Sequence, residues 1–151
     1  MNTGTDHTAD YKALSILTKA MMIGILLFCL ISLLLYFFGS VGKSKDDSRI
    51  VFSIILVISV TMIAATRLIY SKRIVALEET NQSSKEKLDI FRSITITHMA
   101  LCEFIALLSI ICFMVLGNFL FFLIVLMALI EMFMKFPTQQ RIESAVNSGT
   151  F

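Results

Sequence analysis

The chain has 151 residues, 57% of them hydrophobic, a mean hydropathy of +0.85 and a formal net charge of +2. That is too apolar for a soluble domain of this size, which must spend residues on a polar surface. The small, scattered positive charge argues against nucleic acid as a partner. Cys29, Cys102 and Cys112 all fall inside apolar runs and form no CxxC, which argues against a disulfide scaffold or thiol-redox chemistry and reads as buried structural thiols.

Met1–Asp10 is polar and is expected to be loosely ordered. Tyr11–Lys19 alternates apolar and polar residues at helical spacing and leads into the first span, with Lys12 and Lys19 placed to snorkel. Ala20–Phe38 is nineteen residues without a charge, a span candidate. It is too long for a usual signal-peptide core, and no small-x-small cleavage pattern follows, so an uncleaved helix is expected. Ala20 and Gly24 are a small-xxx-small pair suited to close helix approach.

Gly39–Arg49 is a short polar loop in which Asp46, Asp47 and Ser48 are candidate N-caps. Ile50–Thr66 is the second span; its serines and threonines, among them Ser53, Ser59 and Thr61, can bond back to their own helix. Arg67 closes that run and is expected to snorkel. Leu68–Ser93 is the one sizeable polar stretch between spans. Lys85 with Asp89 is an i,i+4 ion pair, and Ser83 followed by Glu86 is a capping-box pattern. The second and third helices are therefore expected to project beyond the membrane and meet near Thr80–Gln82.

Ile94–Leu116 and Phe119–Phe136 are two apolar runs joined only by Gly117-Asn118. Each approaches the roughly 20 residues that a membrane helix needs, and so short a link permits only an antiparallel return. Gly117 suits a left-handed C-terminal cap and Asn118 an N-cap. Pro137 stops the last helix, and the polar tail that follows is expected to begin with a short interfacial helix, Gln140–Val146. The chain thus reads as one membrane domain, 1–151, with spans at about 20–38, 50–67, 94–116 and 119–136 and a helical loop at 68–93. The expected fold is all-α, a four-helix transmembrane bundle.

With four spans both termini share a side. Ten basic residues fall there (Lys12, Lys19, Arg67, Lys72, Arg73, Lys85, Lys87, Arg92, Lys135 and Arg141), against Lys43, Lys45 and Arg49 opposite. The positive-inside rule places the termini and the 68–93 loop in the cytoplasm, as in an integral protein of a bacterial inner membrane.

Two carboxylates stand where lipid is expected. Glu103 lies fifteen positions before Asn118 and Glu131 thirteen after it, so their depths differ by only about 3 Å. A central acid costs about 2.5–3.5 kcal/mol on insertion scales and must be protonated, paired with a base, or turned to an interface or wet cavity. Both are candidate proton- or cation-binding residues. The plain reading of Glu103 is an interhelical hydrogen bond that fixes packing; that of Glu131 is snorkelling or pairing with Lys135 at i+4. His98 is a candidate relay toward Glu103, but with Cys102, Ser109 and Cys112 it also forms a polar packing stripe. No further ligands accompany His98 and Cys102, so no metal or other cofactor is expected, and no nucleophile set argues for an enzyme.

The stretch His98-Met-Ala-Leu-Cys-Glu-Phe-Ile-Ala-Leu-Leu-Ser-Ile-Ile resembles the last helix of rotary-ATPase proteolipids, in which a carboxylate amid Ala and Leu binds a proton or sodium ion. The resemblance covers under a fifth of the chain and implies that role for Glu103 alone. The chain departs from that family in lacking glycine-rich helices and in carrying a span after the acid. Small multidrug transporters also have four helices and an essential acid, but in the first helix, where this chain has none. Two functions are therefore expected: a non-enzymatic accessory or scaffolding subunit, associating in the bilayer with other membrane subunits or itself, or a proton- or cation-coupled transport component built on Glu103.

Overall fold

The computed structural model describes residues 4–39, 48–79 and 84–138. All of its regular structure is helical: α1 (Gly4–Phe37), α2 (Ser48–Glu79), α3 (Ser84–Leu116) and α4 (Phe121–Met134). The Asp46 and Asp47 caps, the Thr80–Gln82 turn, the Ser83 cap and the Gln140–Val146 helix lie outside the described residues.

Three stretches are long and apolar enough to cross a membrane: Lys12–Phe37, Arg49–Arg73 and Glu86–Leu116. Their character shows in what they expose. Ile16, Ile23, Leu26, Leu27, Phe28 and Leu30 on α1, and Ile50, Ile54, Val57 and Leu68 on α2, all lie open on the surface. A soluble protein rarely presents so large a continuous apolar face, and helices that are apolar all round belong in hydrocarbon.

The helices differ from the expected spans at their ends. α1 starts at Gly4, so the polar lead-in expected to be loose is helical from there. The extensions of the second and third helices are as expected: α2 runs past Arg67 to Glu79 and α3 begins at Ser84. α4 is shorter than its apolar run, 14 residues or about 21 Å. Its approach is tightened into i,i+3 turns, Phe121 N–H to Asn118 O and Phe122 N–H to Phe119 O.

The hairpin turn takes the expected form at Gly117 but not at Asn118, because α4 starts three residues later, with Leu120 at its N-cap position and no side-chain cap bond. Gly117 adopts φ 66°, and its N–H donates to Phe113 O at 2.7 Å, closing α3 with a left-handed cap. Asn118 Oδ1 instead accepts from Leu120 N–H at 3.0 Å, within the tight turns that precede α4.

α3 is the central element, in contact with α1, α2 and α4; α2 also meets α4. The core is built on Met99, Cys102, Ile105, Ala106, Ile110 and Phe113 of α3 against Phe121, Ile124, Val125, Ala128 and Met132 of α4. At the hairpin end Phe113 is fully buried, with ring centroids 5.5 Å from Tyr36, 5.3 Å from Phe119 and 4.6 Å from Phe122. The hydroxyls of Ser53 and Thr61 donate to Arg49 O and Val57 O one turn back, as their positions suggest. The small pair at Ala20 and Gly24 is not used inside the chain: no atom of a neighbouring helix lies within 4 Å of a Cβ placed on Gly24.

Candidate functional site

The spacing of α4 decides where its acid goes. Phe121, Ile124, Val125, Ala128 and Met132 repeat at three- and four-residue intervals and form its buried stripe. Glu131 lies on that same stripe and is 1% exposed. A carboxylate so placed needs a base, and α2 supplies one.

Arg67 Nε lies 2.9 Å from both Glu131 Oε1 and Oε2, and Arg67 Nη2 also donates to Oε2. The planar guanidinium meets the carboxylate through two nitrogens, the geometry in which arginine pairs most strongly. This corrects two expectations. Arg67 does not simply snorkel; its side chain is half exposed, yet its head turns inward to α4. Glu131 does not rely on Lys135, whose Nζ sits instead 4.8 Å over the Tyr70 ring. The reason is reach: α2 presents Arg67 directly opposite the buried face of Glu131, while Lys135 finds an aromatic face one turn along.

His98 of α3 completes the cluster. Its Nε2 is 3.6 Å from Glu131 Oε1 and 3.9 Å from Cys102 Sγ, and its ring centroid is 5.6 Å from that of Tyr70. The side chain is 2% exposed, and Nδ1 has no hydrogen-bond partner among the described residues. His98 thus adjoins Glu131. Glu103, five residues on, points about 140° away around the same helix.

Glu103 is half-buried and makes no ion pair or hydrogen bond with any described residue. Ala100, one turn before it, and Phe104, the next residue, are exposed, and Ile111 continues that exposed strip. The two acids therefore meet different surroundings. Both oxygens of Glu131 are occupied by a guanidinium, so a cation there has to displace a fixed positive charge. Glu103 opens toward the outer side of α3 with its oxygens uncommitted.

Cys102 and Ser109 are buried and Cys112 half-buried, as a packing stripe requires, and Ser109 Oγ donates to Ile105 O at 2.9 Å. No group of three metal-ligating side chains occurs among the described residues. A cavity of about 160 Å³ opens beside the cluster, between α2 and α3, lined by Thr66, Ile69, Tyr70 and Arg73 on one side and Ile94, Thr97, His98 and Leu101 on the other. Sequence reasoning missed this groove and the Arg67–Glu131 pair. The repeat that buries Ile124, Ala128 and Glu131 together carried the signal for the second.

No family model, curated protein or solved structure matches the chain.

Proposed function

We propose that this chain is a non-enzymatic accessory or scaffolding subunit of a membrane complex, spanning a bacterial inner membrane four times with both termini in the cytoplasm. The contacts support an alternating path. Tyr36, at the end of α1, meets Phe113 near the end of α3, so these two helices run in the same sense. Arg67 and Tyr70, late in α2, meet Glu131 and Lys135 at the end of α4. The ten-to-three distribution of basic residues supports the orientation.

One observation carries the functional reading: Glu103, near mid-span, has no partner among the described residues and lies beside an exposed apolar strip of α3, whereas Glu131 is satisfied within the chain. A carboxylate at that depth costs about 2.5–3.5 kcal/mol unless something offsets it. A neighbouring subunit that lays a polar group against α3 does so. The test is purification in mild detergent with identification of what co-elutes. An assembly is expected, retained in Glu103→Gln, whose amide still hydrogen-bonds, and weakened in Glu103→Leu. A lone chain, unchanged by either substitution, refutes the reading.

The same uncommitted carboxylate favours a second reading, a proton- or cation-coupled transport component in which Glu103 is the carrier, as the proteolipid resemblance implies. The two part on Glu103→Gln: a carrier loses transport in reconstituted vesicles while still assembling, and a scaffold loses neither assembly nor the activity of the complex it supports.

A further inference from the structure

The groove between α2 and α3 has a polar mouth and an apolar floor. Arg73 and Ile94 lie at one end and Thr66 and Leu101 at the other, a run of eight residues on each helix or about 10 Å. The lining is almost wholly apolar, with Ile69, Ile94 and Leu101 as walls and Arg73 as the one charged residue, at the mouth; the Thr97 hydroxyl is turned to Ser93 O of its own helix. The apolar run of α2, Arg49–Arg73, is about 36 Å long, some 6 Å longer than a bilayer's hydrocarbon core. Centred on that core, Arg73 stands at headgroup level while the rest of the groove faces acyl chains. Arg73 is exposed and makes no ion pair with any described residue.

His98 lines the groove with its ring rather than with a free polar atom: Nε2 is turned to Glu131 and Cys102, and Nδ1 is buried. A volume of about 160 Å³ is too small for a whole lipid. It matches a short length of acyl chain, since a cavity of about 150 Å³ holds a benzene-sized apolar molecule.

We propose that this groove binds one anionic glycerophospholipid, its phosphate on Arg73 and the start of one acyl chain along Ile69 and Leu101. The charge at the mouth selects the headgroup, because every lipid supplies the chain. Lys72 is the built-in control: it neighbours Arg73 and carries the same charge but does not line the groove.

The test is native mass spectrometry of the full-length protein in mild detergent, titrated in turn with phosphatidylglycerol, phosphatidylcholine and inorganic phosphate. One phosphatidylglycerol is expected to bind in preference to phosphatidylcholine. Arg73→Gln should lower that affinity about fivefold and erase the preference, the effect of about one basic residue at an anionic surface. Lys72→Gln should change neither. Ile69→Trp, at a position already exposed and therefore tolerant of substitution, should weaken both lipids by filling the groove. Equal binding of the two lipids, equal losses in Arg73→Gln and Lys72→Gln, or competition by inorganic phosphate at the lipid's own concentration each overturns the proposal. So does a two-chain species abolished by Ile69→Trp, which assigns the groove to a second copy.

Discussion

Arg67 on α2 and Glu131 on α4 are 64 residues apart in sequence, and each satisfies the other's charge where two apolar helices meet. Glu131, 1% exposed, depends on that partner. Their pairing sets the register of α2 against α4, two helices that otherwise touch little, since α3 lies against both.

Breaking this pair from one side strands a charge. Removing one partner of a buried pair costs about 3–5 kcal/mol; Arg67 is half exposed, so about 2 kcal/mol is expected for Arg67→Met or Glu131→Leu. The double substitution should recover most of that loss, because two apolar side chains need no partner. Arg67→Lys should fall between, lacking the planar fork. Unfolding in mixed micelles, read as a double-mutant cycle, measures this. Simply additive losses show that the two side chains do not act on each other.

The fold was legible because lipid imposes a simple rule: long apolar runs become helices, and Gly117-Asn118 leaves room only for a turn. The site was legible in part. Glu103 and Glu131 stand out in any reading of the chain, since each is a charge in an apolar run. Which of them is satisfied internally depends on rotation about the helix axis. For Glu131 that rotation is written in the Phe121-Ile124-Ala128 repeat, but the choice of Arg67 over Lys135 requires the position of α2, which no local pattern encodes. The α2/α3 groove depends on how two helices separate, a matter of packing rather than of sequence period.

The turn makes a second prediction. Gly117 holds φ 66°, a region that costs a residue with a Cβ about 1–2 kcal/mol. Gly117→Ala should destabilise the protein by about 1 kcal/mol, and Gly117→Asn by less, since asparagine tolerates this conformation. Thermal unfolding in mild detergent checks the order. Equal stability of all three refutes a backbone origin and means the turn relaxes without cost.

A third concerns the hairpin end. Phe113 is fully buried between the rings of Tyr36, Phe119 and Phe122 and joins α1 to the α3–α4 turn. In a membrane its worth is close packing rather than escape from water. Phe113→Ala should cost about 2 kcal/mol or more, below or near the low end of the range for large core aromatics in water, and Phe113→Leu about half of that. The loss should appear as faster proteolysis near the Gly39 end of α1, which Tyr36 anchors. Unchanged cleavage there, with stability intact, means α1 is held by other contacts.

Carbodiimide labelling separates the two acids. The reagent activates a protonated carboxyl in an apolar setting. Glu131 is held by a guanidinium on both oxygens and is 1% exposed, so it offers neither the proton nor the access. Glu103 is half-buried beside an exposed strip, with no described partner. Labelling is therefore expected at Glu103 and abolished by Glu103→Gln, while Arg67→Met should open Glu131 as a second labelled site by removing its counter-charge. Peptide mapping after labelling reads both. Sodium added during the reaction carries the functional choice further: protection of Glu103 by sodium means that the carboxylate coordinates the ion and favours transport, whereas labelling indifferent to sodium but suppressed within the intact assembly means that a neighbouring subunit covers it. Labelling of Glu131 in the unaltered protein contradicts the ion pair itself.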